Sequence, residues 1–471
     1  MLNTISHKTT NIDNISSFDK FENFLSTFGL PSENVIADLT QRQIVINSLP
    51  TFLDSLPTEN KRDAYYLSRF VAGAAVGLFD ASLNYVWNEV VLHLRQKACL
   101  YGLDLFFDEA VGEKLRENYK NEKDLAGLKD KTLLDTCKKL ELISDLVYKK
   151  LSHILTMRND IGASHPNSYC INGYELLGWL TTCINDVLSD KPSDASITVK
   201  SIVDNIKSTT SPLNPETVHI FNCKIKELSS QMCNNLLSAL FNLFTSNNQE
   251  KIVRENALTI ATKVWTYSSE EIKYNLGERI DTYKARLDSE KLQYAEIFFE
   301  RCNGKRYYSL DSKIIKISTL CDDLIDAHIG MNNFYHEPPI ANEIMSFIIS
   351  DADIPKEREE KILKTFLICR IGREVNYNNG VSPSGKNYYD AFFNLLNKEQ
   401  IITIIKLLNM PEIRNLLDTP IRQHNCREIL TILKSPLIGD RLNEILDFII
   451  GSDNLYMVFD SLTYKDLTIN L

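Results

Sequence analysis

Apolar residues recur three and four positions apart along most of the chain, the period that lays one face of an α-helix against a core. Residues 1–15 read as a loose polar tail. Ser17 then opens SFDKFENFLSTFG, where Phe18, Phe21, Phe24 and Leu25 share one helical face and Gly29 is a stop signal. A second helix is expected over 34–48, with Pro50 and Pro57 bracketing a short connection. From Glu59 to Gly102 there is no proline and the pattern is helical. Leu78, Phe79, Leu83, Val86, Trp87, Val90, Val91 and Leu94 form a stripe wide enough for the central helix of a bundle. Residues 104–127 are mixed and charged. A helix follows over 131–139, and Ser144 opens another that ends near Asp160, where Gly162 and Pro166 break it. The next runs from Asn172 to Leu188. SDKPSDAS, residues 189–196, is a polar linker.

Beyond the linker the helical period continues over 197–206, 215–246, 249–264, 269–285 and 289–302, and again from Leu310 to the end. A Gly/Asn/Ser-rich loop, CRIGREVNYNNGVSPSGKNYYD (369–390), interrupts the last stretch. The predicted fold class is all-α. The expected organisation is an N-terminal helical segment (1–58), a helical bundle (59–190), a helical middle region (197–305) and a helical C-terminal domain (306–471). No fixed-period repeat is evident.

Composition adds exclusions. Only 17 Gly and 14 Pro in 471 residues favour long helices over strands and turns. A net charge of −10 does not announce a nucleic-acid binder, although an acidic protein can carry a local basic site. No run of 18 apolar residues exists, and the polar start MLNTISHKTTNIDN lacks an apolar signal core, so a cytoplasmic protein without a membrane span is expected. The 10 cysteines are scattered singly and none forms CxxC. They read as reduced thiols, several in apolar helical runs, and as neither a disulfide framework nor a zinc ribbon. His336 in FYHEPP has no partner histidine at metal spacing. No metal site and no cofactor are expected.

The sharpest chemistry lies in LTMRNDIGASHPN, which puts Arg158 at the end of one helix and His165 in the loop before the next. A permanent cation and a group titrating near neutrality can converge there. Arginine offers a planar fork of donors to a phosphate and to the charge that grows on it in the transition state. Histidine can take a proton from a ribose 2′-OH or give one to the leaving 5′ oxygen. When the 2′-OH is the nucleophile, no metal is required. Asn159 adds a polar side chain beside the arginine.

With these residues and their flanking helices, the stretch 72–190 resembles a HEPN domain, a four- or five-helix bundle found in many prokaryotic ribonucleases. The family motif is Arg, four to six residues, then His, often with Asn, Asp or His directly after the Arg. Arg158, Asn159 and His165 match it at the long end of the spacing. The aromatic-rich helix AAVGLFDASLNYVWNEVVLHLR, the approach helix LLDTCKKLELISDLVYKKLSHILTMRN and the proline after the histidine supply the matching context. The resemblance implies a metal-independent endoribonuclease with a composite site made by two domains. One motif per chain implies a homodimer. His165 would be general acid or base, Arg158 would hold the scissile phosphate, and Asn159 would orient or stabilise. Roles in antiviral defence, abortive infection or toxin–antitoxin systems are implied in the same way. One subfamily carries a modified tyrosine two residues after the histidine; here the nearest is Tyr169, four residues on, which departs from that pattern.

Plainer readings stand beside these. Arg158 can be a C-terminal helix cation favoured by the macrodipole, and His165 a loop residue capping the next helix. His153 lies five residues before Arg158, well off its face, and reads as packed or superficial. Trp87 and Trp179 read as core. In the loop 369–390, Arg370, Arg373 and Lys386 lie among Tyr377, Tyr388 and Tyr389, a combination that can grip single-stranded RNA or a nucleotide but that also suits a surface loop. The rival to the enzyme is an all-helical interaction protein whose bundle serves dimerisation or binds a protein partner.

Overall fold

A computed structural model describes residues 18–56, 61–111, 115–161, 169–190, 194–247, 249–375, 377–435 and 439–469. The expected N-terminal tail and His165 lie outside them. Every regular element among the described residues is a helix, so the chain is all-α. None of these helices is long and apolar enough to cross a membrane. The chain divides into two compact units, Met1–Ala239 and Leu240–Leu471.

The first unit runs through α1 (Phe18–Thr27), α2 (Leu39–Ser55), α3 (Tyr65–Val76), α4 (Phe79–Tyr101), α5 (Leu103–Ala110), α6 (Asp130–Lys139), α7 (Asp145–Ile161), α8 (Gly173–Cys183), α9 (Asp194–Ser208) and α10 (Pro215–Lys226). The unit boundary falls within α11 (Ser230–Thr245). Helix α4 is central and packs on α3, α5, α6, α7 and α8. Its stripe is buried from Phe79 through Leu83, Val86, Trp87, Val90, Val91 and Leu94. Each such large side chain contributes roughly 1.5–3 kcal/mol relative to exposure. Leu78, the first residue of the expected stripe, instead caps the helix start and is 39% exposed.

Three boundaries differ from expectation for identifiable reasons. The proline-free stretch 61–101 is two helices, because Gly77 takes φ +98° and its carbonyl accepts from the Ala37 amide at 2.9 Å. Helix α2 starts at Asp38, whose carboxylate accepts the Gln41 amide, and it continues through Pro50. The stretch 215–246 splits where the Ser229 hydroxyl caps α11 through the Met232 amide. Helix α3 has no cap of its own, since its N-cap residue is Ala64. Glu89 of α4 takes that place and accepts the Leu67 amide at 3.2 Å. Other signals hold as read: Ser144 caps α7 through Val147, and Asn172 with Glu175 forms a capping box at α8. Helix α8 continues as a π-helical turn, Ile184–Leu188. Lys97 of α4, 3% exposed, ties the core together through Asp190 and the Leu142 carbonyl.

The second unit contains α12 (Lys251–Val264), α13 (Glu270–Ala285), α14 (Ser289–Arg301), α15 (Leu310–Ile329), α16 (Asn333–Phe347), α17 (Glu359–Ile371), α18 (Pro383–Leu395), α19 (Lys398–Asn409), α20 (Pro420–Leu433), α21 (Asp440–Ile450) and α22 (Leu462–Thr468), with single-turn helices between some of them. Phe241, Trp265, Phe298, Phe299 and Tyr307 meet largely edge to face in its first half. In its second half α16 crosses α15 and α18. Helix α16 holds Pro338 and Pro339 in its interior, so Pro338 cannot donate to the Phe334 carbonyl. Ser382, fully buried, repairs this: its hydroxyl donates to that carbonyl at 3.0 Å and accepts the Gly385 amide that starts α18.

All ten cysteines are free thiols. Burial pushes Cys137, Cys183 and Cys426 up to about 12, so they rest protonated in the core.

Candidate functional site

Arg158 sits in the last turn of α7, where the final carbonyls of the helix favour a cation. It is held from two other helices. Its Nε donates to Asn84 Oδ1 of α4 at 2.9 Å. Its Nη1 donates to Asn159 Oδ1 at 3.0 Å and lies 3.8 Å from Asp130 Oδ2 at the start of α6. The same Asp130 oxygen accepts the Trp87 indole N–H at 2.8 Å. Buried Trp87 thus fixes the carboxylate, and the carboxylate and Asn84 fix the arginine. Asn84 is itself anchored, its Nδ2 donating to the Asp80 carbonyl.

The Arg158 side chain is 25% exposed, while Asn159 and Asp160 stand in solvent. One fixed cation is therefore presented at the bundle surface with its stem clamped, an arrangement that costs little ordering entropy when an oxyanion docks. Asp130 partly neutralises it, so an incoming phosphate competes with a carboxylate. The structure brings Arg158 and Asn159 together. His165, the third expected member, lies outside the described residues. Tyr169 donates to Glu175 at 2.7 Å, which ties the residues after that segment to the first turn of α8. His153 is an exposed surface residue.

Asn84 and Asp130 had no signal in the short motif, because they precede Arg158 by 74 and 28 residues; only the fold brings them together. A second pairing also went unread. His219 Nε2 and Cys223 Sγ, four apart on α10, approach to 3.7 Å on an exposed face.

The basic residues of 369–390 are placed differently from expectation. Arg370 is 1% exposed and pairs with Asp390 at 2.6 Å and Glu428 at 2.7 Å. An open ligand-gripping Arg370 is thereby corrected, since its charge is spent on internal carboxylates. Lys386 joins it on Glu428 at 2.9 Å. Burial alone would raise Glu428, but the Arg370 and Lys386 hydrogen bonds hold its carboxyl down at about 2. Arg373 is separate and donates to the Gly330 carbonyl at 2.7 Å. Tyr389 is buried with its hydroxyl on Glu337, and Tyr377 stacks on Phe334.

No family model matches the chain, and neither does any curated protein or solved structure.

Proposed function

We propose that the protein is a metal-independent endoribonuclease of HEPN type. It acts in the cytoplasm, and two copies pair so that two Arg158–His165 sets face one RNA strand. The observation that supports this reading most is the clamped, part-exposed Arg158 with Asn159 beside it, at the end of a helix inside an all-α bundle. In the reaction His165 takes the 2′-OH proton, the 2′ oxygen attacks the phosphorus, and a proton is returned to the leaving 5′ oxygen. Arg158 holds the phosphate and the charge that grows on it. A role in antiviral defence or as a toxin, released by a protein partner or another trigger, belongs to the same proposal.

The test compares RNA cleavage by the purified protein with Arg158→Ala and His165→Ala variants, alongside the mass of the native assembly. Loss of cleavage in both variants of a dimer supports the enzyme. Cleavage no faster than in His165→Ala refutes it.

Asp130 favours a second reading. A carboxylate already near the guanidinium, itself fixed by Trp87, suits a structural ion pair in a non-catalytic adaptor. On that reading both variants retain cellular function, which a growth assay in expressing cells distinguishes.

A further inference from the structure

A cavity of about 920 Å³ opens in the first unit between the start of α3, one face of α4 and the 3-10 turn Glu122–Gly127. Its size lies in the range of sites for small organic ligands. Leu56, Leu67, Leu92 and Leu188 supply an apolar lining.

Arg95 of α4 stands in the wall of this cavity. Its side chain is half-buried, and its Nε is buried with no hydrogen-bond partner among the described residues. A buried donor left unmet in a native fold is costly and calls for a partner. The neighbouring groups do not provide one. Glu89, on the same wall, is engaged by the Leu67 amide, and burial raises its carboxyl above the ordinary range. Burial, and then the charge of Lys97, lower His93 and favour its neutral form. Asp63 and Glu122 lie at the exposed rim, where Lys123 adds a second cation. The interior therefore combines a guanidinium whose Nε is unmet among the described residues with an aliphatic surface. A guanidinium fork matches the paired oxygens of a carboxylate or a phosphate.

We propose that this cavity binds a small amphipathic organic oxyanion, a carboxylate or phosphate monoester on an apolar body. Arg95 takes the acid group and the four leucines take the body. The site is separate from Arg158 and does not depend on the ribonuclease reading.

The experiment is calorimetric titration of the full chain with four probes sharing one tail: octanoate, octyl phosphate, octanol and octyltrimethylammonium. At least one oxyanion is expected to bind about tenfold or more tighter than octanol and the ammonium. The better oxyanion tells a carboxylate site from a phosphate site. Arg95→Gln should abolish that preference while leaving octanol binding unchanged. It should not lower the ligand-free Tm, because Arg95 Nε has no partner among the described residues to lose. Arg158→Ala should bind all four probes as the natural protein does. The proposal is overturned if neither oxyanion outbinds octanol, if Arg95→Gln keeps the preference, or if Arg95→Gln lowers the ligand-free Tm as a structural residue would.

Discussion

Replacing Glu337 by leucine would remove the single acceptor on which three buried groups converge. The carboxylate is fully buried and receives His328 Nδ1 at 2.9 Å, Asn333 Nδ2 at 2.7 Å and the Tyr389 hydroxyl at 2.7 Å. None of the three donors is more than 9% exposed, so water cannot replace the lost acceptor. Each orphaned donor costs roughly 1–3 kcal/mol. The penalty is partly offset, because a buried carboxylate no longer has to be desolvated. A net loss of about 3–5 kcal/mol is expected for Glu337→Leu. Glu337→Gln keeps one acceptor oxygen and turns an N–H₂ toward a donor, for a loss of about 1–3 kcal/mol. The assay is urea unfolding together with hydrogen exchange of amides in α15, α16 and α18, which isolates the second unit from the first. The decisive arm adds Tyr389→Phe. In the natural background it removes a bond to a buried carboxylate and destabilises; in the Glu337→Leu background the hydroxyl keeps only the Cys369 thiol as partner, so its removal should cost much less. A Glu337→Leu protein within about 1 kcal/mol of the natural one, or strictly additive effects in the cycle, would refute the reasoning.

Three further outcomes are expected. On the proposed ribonuclease function, Asn84→Ala, which frees Arg158 Nε, should slow RNA cleavage about 10–100-fold while changing urea stability by only about 1 kcal/mol; unchanged cleavage would remove Asn84 as a positioning residue. Gly77→Ala should cost about 1–3 kcal/mol in urea unfolding, because φ is +98° and a Cβ would lie 2.9 Å from both the Ala37 amide nitrogen and Arg42 Cδ. Glu428 has a folded pKa of about 2 against an ordinary 4.5, so its ionised form stabilises the fold above about pH 4.5 and that contribution is lost as the pH falls toward 2. The urea midpoint of Glu428→Gln should therefore vary less with pH across that window than that of the natural protein, and parallel curves would contradict the assignment.

What could be read from the residues was local. The stripe of α4 is legible because Phe79, Leu83, Val86, Val90 and Leu94 repeat at the helical period and are buried on one face. Ser144 and Asn172 mark helix starts because their side chains accept from the amides three residues on. What could not be read depends on distant neighbours. Gly77 ends α3 as a left-handed C-cap whose N–H donates to the Gly73 carbonyl, but that Ala37 and Arg42 pack where a Cβ would stand is set by residues some 35–40 positions earlier. Pro338 is tolerated because Ser382, the N-cap of the next helix but one, takes the Phe334 carbonyl that it frees. Arg370 looks like a loop cation in sequence, yet Asp390 and Glu428 draw it into the interior. At the candidate site the Arg–Asn pair was visible, whereas the clamp of Asn84, Asp130 and Trp87 was not. Arginine, asparagine and aspartate carry no mark of the partner they will find.

The in-trans cap on α3 bears on the order in which the bundle can assemble. Residues 65–76 contain no side chain that satisfies their own leading amides, and the group that does so arrives 22 positions after Leu67. During synthesis, the nascent chain carries an uncapped α3 until Glu89 has left the ribosome. The α3–α4 hairpin should therefore consolidate as one step, a nucleus whose two arms show matched φ-values in folding kinetics rather than a helix that waits, preformed, for its neighbour.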